Sequence, residues 1–232
     1  MVEVVPAIIP HSFLDIERDS LRVKNLVDFV QIDIMDGIFT PEPTWPYVGD
    51  HGEFNKLISE EIAMPYWKDL NFEIDLMVQK PADVIDDWIS GGAQRIIIHV
   101  ESDGGIYEMI DKVRQRSGSE GSLIQTEVGI AFVPSTPFET VEPYMKMVDF
   151  VQCMGNDKIG YHGVELDENV YDKVRNIRLK YPSIPISIDI GVNDETAPLL
   201  VKAGCTRLVS GSALFNAENI KEQVEEFKKL YN

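Results

Sequence analysis

The chain has 232 residues, of which 44% are hydrophobic, and its formal net charge is −18. A chain of this length buries about 70% of its unfolded surface and needs no disulfide bonds, so we expect one domain over residues 1–232. The negative charge excludes nucleic acid and anionic membrane surfaces as partners. No apolar run approaches the roughly 20 residues of a membrane span and no signal peptide is visible. We therefore expect a soluble, cytoplasmic protein.

Eight short segments, most of them rich in Val, Ile and Phe, are typical of β-strands. They cover residues 3–9, 29–35, 72–78, 95–100, 127–133, 148–154, 185–190 and 207–210. Between them, helical periodicity and helix-start signals predict helices over residues 54–62, 81–90, 167–181 and 216–230. Gly91, Gly92 and Gly204 stand where helix C-terminal caps are expected before the next strand.

Strands that alternate with helices form a parallel sheet, and eight such repeats predict closure into a single (β/α)₈ TIM barrel of the α/β class. An open doubly wound sheet is the alternative, and it is disfavoured because no G-x-G-x-x-G motif follows the first strand. The longest connection, residues 38–71, contains Trp45 and Trp67. We expect part of this connection to cross the mouth of the barrel.

Carboxylates interrupt three of the predicted strands in the same manner. Because strand side chains alternate between two faces, Gln31 and Asp33 are expected inside the barrel, as are Asp75 and Asp189 on two further strands. The residues expected to face the helices instead are Ile32, Ile34, Phe72, Ile74, Leu76, Ile186, Ile188 and Ile190. The three aspartates lie near the strand ends, where barrel enzymes carry their chemistry.

Converging carboxylates require compensation. Two like charges about 4 Å apart repel by roughly 4 kcal/mol at an effective dielectric constant near 20. A bound cation, a shared proton or greater separation must relieve this repulsion. In the simpler interpretation each aspartate only accepts hydrogen bonds, but three aspartates at matching strand positions favour a functional cluster.

Glycines follow three consecutive strands of the predicted barrel. Gly160 and Gly163 follow the sixth strand, Gly191 the seventh, and Gly211 with Ser212 the eighth. Glycine lets backbone N–H groups approach a phosphate closely, and the loops after the seventh and eighth strands commonly bind phosphate in this fold. The positions predict a phosphate site at the same end of the barrel as the aspartates.

Eight sequence blocks, in order, resemble the ribulose-phosphate 3-epimerase family over nearly the whole chain. The blocks are VPAIIP, VQIDIMDGIFTP, DLMVQKP, IIIHVES, AFVPSTP, IGYHGVEL, ISIDIGV and VSGSALF. The resemblance implies inversion of the carbon next to the ketone of a ketose phosphate, of the ribulose 5-phosphate/xylulose 5-phosphate type. It implies that a phosphorylated sugar is the ligand and that the protein is a homo-oligomer.

The resemblance also assigns roles to individual positions. Asp33 and Asp189 match the two acid/base carboxylates, and three methionines match residues that line the substrate pocket: Met35, Met77 and Met154. The positions that match the phosphate-binding loops are Gly160, Tyr161, His162, Gly163, Ile190, Gly191, Gly211 and Ser212.

The chain departs from the family pattern at its metal site. The four positions that match the family's metal ligands, two histidines and two aspartates, are Gln31, Asp33, Asp75 and Asp189, so both imidazoles are replaced. Oxygen donors favour Mg²⁺ or Mn²⁺ over Zn²⁺ or Fe²⁺. A metal-free site with one protonated aspartate is the other possibility. His99 is retained and is expected to be a hydrogen-bonded core histidine.

Three functions compete on these observations. A sugar-phosphate epimerase is favoured by the retained pair of Asp33 and Asp189. A non-catalytic sugar-phosphate-binding homologue is favoured by the altered metal ligands and by Pro10, which stands where the family has a serine hydroxyl. An aldolase-like lyase of the hexulose-phosphate synthase type is disfavoured, because no D-x-K-x-x-D cluster ends a predicted strand.

Overall fold

A computed structural model describes residues 2–49, 51–117, 125–161 and 163–230 of the chain. Eight parallel strands form a closed barrel in which each strand pairs with its sequence neighbours and the last pairs with the first. The strands are β1 Glu3–Ile8, β2 Phe29–Met35, β3 Asn71–Met77, β4 Arg95–His99, β5 Glu127–Phe132, β6 Phe150–Met154, β7 Ile186–Asp189 and β8 Arg207–Ser210. The predicted TIM barrel is confirmed.

Helices surround the barrel in the connections between strands. They are α1 Phe13–Val23, α2 Gly52–Ile58, α3 Ile85–Ser90, α4 Ile106–Ser117, α5 Phe138–Val141, α6 Asn169–Lys180, α7 Ala197–Ala203, α8 Ser212–Phe215 and α9 Ile220–Lys228. Short 3₁₀ turns at Pro81–Asp83 and Glu142–Tyr144 precede α3 and follow α5. None of the helices within the described ranges is long and apolar enough to cross a membrane.

All four predicted helices are shorter than expected: α2 covers Gly52–Ile58 where 54–62 was predicted, and α6 covers Asn169–Lys180 where 167–181 was predicted. The predicted helix 81–90 begins as the 3₁₀ turn and becomes α-helical only at Ile85. The predicted helix 216–230 contains α9 alone, because the Asn219 side chain accepts hydrogen bonds from the backbone N–H groups of Lys221 and Glu222 and so caps a new helix. The expected glycine caps are present: Gly91 ends α3 and Gly204, at φ 121°, ends α7.

The main core lies between the strands and the helices. Ile32, Ile34 and Leu76 are completely buried there together with Ile16 of α1 and Trp88 of α3. Burying a side chain of this kind contributes about 1.5–3 kcal/mol. The outward direction of these strand residues is confirmed, and it leaves the alternate residues to fill the barrel.

Inside the barrel, small and large side chains fit around one another. One interior cluster contains Ile97, Ala131, Phe150 and Met154, and a second contains Val5, Ala7 and Val209. A Cβ atom added at Gly129 would lie 2.3 Å from the Phe150 ring. Glycine at this position therefore makes room for the phenylalanine in the centre of the barrel.

A buried ionic cluster closes the amino-terminal end of the barrel. Arg207 pairs with Glu73 and, at 2.8 Å, with Glu3. Arg95 pairs with Glu3 at 2.8 Å and with Glu73 at 3.2 Å, and its guanidinium lies 3.5 Å from the centre of the Phe29 ring. Burial raises the pKa of Glu73, although both arginines oppose the change. These contacts seal one end, so ligands can reach the interior from the carboxyl end of the strands.

The long connection after β2 is anchored on both sides of the barrel wall. Trp45 is buried outside the strands, where its ring lies 5.5 Å from those of Phe13 and Phe54. The Thr44 hydroxyl donates a hydrogen bond to the Asp33 carbonyl oxygen. The ring of Phe39 packs edge-on against the His99 imidazole, which places this part of the connection over the carboxyl end of the barrel.

Candidate active site

Three aspartates converge at the carboxyl end of the barrel. Asp33 and Asp75 are register partners on β2 and β3, and Asp189 is the last residue of β7. One carboxylate oxygen from each aspartate can be chosen so that all three lie within 4.8 Å of one another. The structure therefore brings together the three carboxylates that the strand alternation placed in the interior.

The three aspartates differ in their access to ligand. Asp33 and Asp189 line a cavity of about 460 Å³ at the carboxyl end and remain 5% and 7% exposed. Asp75 is completely buried behind them. A ligand in the cavity can therefore contact Asp33 and Asp189. Asp75 does not reach the cavity and affects these two carboxylates through its charge.

The Gln31 amide joins the two carboxylates that line the cavity. Its Nε2 atom donates one hydrogen bond to Asp33 Oδ1 and one to Asp189 Oδ2, both at 2.8 Å. Its Oε1 atom is buried and has no hydrogen-bond partner among the described residues. The side of the amide that faces the aspartates is thus its donor side.

Asp75 is held by two other interior side chains. Its Oδ1 atom lies 2.9 Å from His99 Nε2, and its Oδ2 atom accepts a 3.1 Å hydrogen bond from Gln152 Nε2. Burial opposes the charged imidazolium, but the adjacent Asp75 carboxylate raises the pKa of His99 above its ordinary value. His99 is therefore the hydrogen-bonded core histidine that was expected, and its partner is one of the three converging carboxylates.

Burial and mutual repulsion raise the pKa values of Asp33 and Asp189, the two carboxyl groups that line the cavity. Burial, followed by the charge of Asp75, raises the pKa of Asp189 to about 7, while the Gln31 hydrogen bond opposes the rise. Burial, followed by the charges of Asp189 and Asp75, raises the pKa of Asp33 well above its usual range. A carboxyl group that titrates near neutral pH can both accept and donate a proton there, as acid–base catalysis requires.

The glycine loops form another part of the wall of the same cavity. Of the positions predicted for phosphate, the cavity is lined by Gly160, Tyr161, Gly163, Ile190, Gly191, Gly211 and Ser212. His162 lies outside the described residues. Among the residues that the structure describes, no Lys or Arg lines the cavity. This wall therefore offers an anion neutral donors: backbone N–H groups and the polar side chains of Tyr161, Asn193, Ser212 and Asn216.

Two of the three predicted pocket methionines line the cavity directly. Met77 and Met154 are lining residues. Met35 packs beneath the wall instead: a Cβ atom added at Gly160 would lie 2.8 Å from the Met35 sulfur. Met35 therefore supports the loop after β6 from within.

One orientation expected from the sequence is wrong. Ile190 was placed among residues that face the helices, but β7 ends at Asp189 and Ile190 adopts φ 80°. This left-handed conformation is rare for a β-branched residue and turns Ile190 inward, against the cluster that contains Ile97 and Met154. Strand alternation could not foresee it, because the strand has already ended.

Sequence reasoning also missed Gln152. It occupies an inward position on β6, beside Ser187 of β7, and it binds Asp75. A polar residue two positions before Met154, in a strand that is otherwise apolar, was the available signal. The alternation of strand side chains that predicted an inward direction for Gln31 predicts the same direction for Gln152.

The fold and the site define a class: a (β/α)₈ barrel with paired carboxylates and a glycine-lined cavity at the carboxyl end of its strands. The family can be named from the sequence. Residues 3–215 match the ribulose-phosphate 3 epimerase family, and the chain belongs to this family.

Individual relatives agree at modest identity. The ribulose-phosphate 3-epimerase of Bacillus subtilis (strain 168) is 26% identical, over 98% of this chain and 99% of its own length. That of Schizosaccharomyces pombe is 27% identical, over 96% of this chain and 90% of its own length. The solved 3-hexulose-6-phosphate synthase of Salmonella typhimurium shares the fold, with a TM-score of 0.68 at 11% identity over 98% of this chain and 97% of that one.

Proposed function

We propose that this protein is a sugar-phosphate epimerase that inverts the carbon next to the ketone of a ketose phosphate, of the ribulose 5-phosphate/xylulose 5-phosphate type. One observation carries the proposal: Asp33 and Asp189 reach one cavity from β2 and β7, which β1 and β8 separate. Inverting a carbon through its proton needs two groups that approach from different sides. Family membership supports the same reaction.

The two carboxylates supply the proton transfers. In one direction Asp33 removes the proton from the carbon next to the ketone, which leaves an enediolate, and Asp189 delivers a proton to the other face. In the reverse direction their roles exchange. The pKa of about 7 for Asp189 suits this alternation, because both protonation states are then accessible near neutral pH. After each turnover the pair has exchanged its protonation states.

The glycine wall is proposed to hold the phosphate, and this proposal predicts the effect of Gly191→Ala. Gly191 adopts φ 73°, and a Cβ atom there would lie 2.6 Å from the Leu166 backbone nitrogen. The substitution should displace the loop, raise the KM for ribulose 5-phosphate and the Ki of inorganic phosphate by about tenfold, and change kcat less, since it weakens ground-state and transition-state binding alike.

A second glycine provides the control for this experiment. Gly92 also has a positive φ, 92°, but a Cβ atom there would meet no atom within 4 Å. Gly92→Ala should therefore lower stability and leave KM and Ki unchanged. Unchanged KM and Ki in Gly191→Ala would show that the phosphate binds elsewhere.

The carboxylate cluster fits a hard divalent cation. Its oxygens lie within 4.8 Å of one another and their burial raises the pKa values of Asp33 and Asp189, so a positive charge would be favoured there. Asp33, Asp75 and Asp189, with the Gln31 oxygen as a fourth donor, would hold it. An all-oxygen set favours Mg²⁺ or Mn²⁺ over Zn²⁺ or Fe²⁺. When bound, such a cation supplies charge that stabilises the enediolate.

NMR of ribulose 5-phosphate mixed with the protein in deuterated water tests the proposed function. We expect xylulose 5-phosphate to form and the hydrogen at C3 to exchange, in reactions run with and without added Mn²⁺. Binding of the sugar phosphate without any exchange would contradict the proposal and favour the non-catalytic alternative.

A further inference from the structure

We propose that Gln31 is a positioning residue that acts as an amide latch: its NH₂ group spans the two acid/base carboxylates in the metal-free protein and must turn away before a cation can bind them. The inference deepens the proposed function and rests on it for the roles of Asp33 and Asp189. The observation behind it is the pair of 2.8 Å hydrogen bonds from one nitrogen to two different carboxylates.

The latch is built from complementary charge. Each hydrogen of the amide NH₂ group meets an oxygen of one of the two aspartates, and a hydrogen bond to an ionised carboxylate is about twice as strong as a neutral one. The contact joins β2 to β7, two strands that are not neighbours in the barrel. It therefore fixes the distance between Asp33 and Asp189 without a metal ion.

The amide oxygen of Gln31 is left without a hydrogen bond in this orientation. Oε1 is buried, and within the described part of the chain nothing donates to it. Turning the amide over would point this oxygen at the Asp33 and Asp189 carboxylates and lose both hydrogen bonds. That orientation becomes favourable only when a cation lies between the three oxygens, where Oε1 would be a fourth ligand. Amide and cation thus compete for the same carboxylate oxygens.

Gln31→Met separates a latch from an ordinary ligand. Methionine has nearly the same length, but it neither donates to the carboxylates nor offers an oxygen. If Gln31 is a latch, the chelator-treated Gln31→Met protein should melt at a lower temperature than the wild type. Removal of the competing NH₂ donor should offset the loss of the Oε1 ligand, so Mn²⁺ affinity should stay within about tenfold of the wild type, measured by the EPR signal of free Mn²⁺. Weaker Mn²⁺ binding by a factor of about ten or more would overturn the proposal, as would an unchanged melting temperature.

Gln152→Met is the matched control. It makes the same substitution in the same barrel interior. Gln152 Nε2 donates to Asp75 at 3.1 Å and, more weakly, to the Met154 sulfur at 4.0 Å, so its loss leaves the bridge between Asp33 and Asp189 intact. We expect it to lower the melting temperature less than Gln31→Met does. If Gln152→Met lowered the melting temperature as much as Gln31→Met, the loss of any interior amide would suffice, and the latch would be refuted.

A second variant covers the case in which Gln31→Met does not fold. Gln31→Glu keeps the shape of the side chain but adds a fourth carboxylate in place of the NH₂ donor. Its metal-free form should melt below the wild type, and added Mn²⁺ should restore its melting temperature. Equal melting temperatures for the metal-free Gln31→Glu and wild-type proteins would contradict the latch. None of these readouts uses turnover, so loss of the proposed epimerase function would be detected separately.

Discussion

Asp33→Asn and Asp189→Asn should each slow the interconversion of ribulose 5-phosphate and xylulose 5-phosphate by about 10²- to 10⁴-fold, the usual contribution of a positioned acid or base. Both side chains reach the cavity, and an asparagine there can still accept the Gln31 hydrogen bond. The site should therefore keep its shape while one proton-transfer group is lost.

Isotope exchange makes this prediction specific. In each variant the remaining carboxylate still faces one side of the substrate carbon, so exchange of the C3 hydrogen in deuterated water should survive for one epimer only. The two variants should retain exchange with opposite epimers. Exchange of both epimers in either variant would mean that one group serves both faces, and the two-carboxylate mechanism would then be rejected. Asp28→Asn, an exposed position just before β2, should behave as wild type.

The parts of the fold that follow from the alternation of side chains along strands, and from the residues that end strands and helices, could be predicted from the sequence. Every strand was predicted to within two residues of its observed ends. Alternation alone placed Asp33, Asp75 and Asp189 in the interior, because a buried strand leaves only two directions for a side chain. Their meeting at one end followed from the common direction of parallel strands.

Contacts across the barrel could not be read in the same way. Gln31 and Asp189 are separated by 158 positions in the chain, and their contact depends on barrel closure and on the rotation of one amide. The sequence placed Gln31 as an oxygen donor for a metal, whereas the structure turns its nitrogen toward the aspartates. The ion pairs of Glu73 with Arg95 and Arg207 likewise depend on the relative register of three strands, which the sequence of one strand does not determine.

Asp189→Asn should also make the metal-free protein more stable at alkaline pH, although it removes activity. An aspartate has an ordinary pKa of 3.8, and burial with the charge of Asp75 raises that of Asp189 to about 7 in the folded protein. Between these values the folded state binds more protons than the unfolded state, so this group's contribution to stability is present below pH 4 and is lost as the pH rises through 7. The total loss is on the order of a few kcal/mol, because each unit of pKa difference corresponds to about 1.4 kcal/mol.

Denaturant unfolding of chelator-treated wild type and Asp189→Asn from pH 4 to pH 8 measures this effect. The two proteins should have similar free energies of unfolding at pH 4, and the variant should exceed the wild type by several kcal/mol at pH 8. Comparing the two cancels groups with the opposite dependence, such as Glu3, whose pKa is lowered by Arg207 and Arg95 against the effect of burial. Asp28→Asn makes the same substitution at an exposed position and serves as the control. If the free energies of unfolding of Asp189→Asn and wild type changed with pH in parallel, ionisation of Asp189 would not destabilise the folded protein, and the prediction would be wrong. A widening gap would show that the protein keeps a destabilising carboxylate where the proposed reaction needs one.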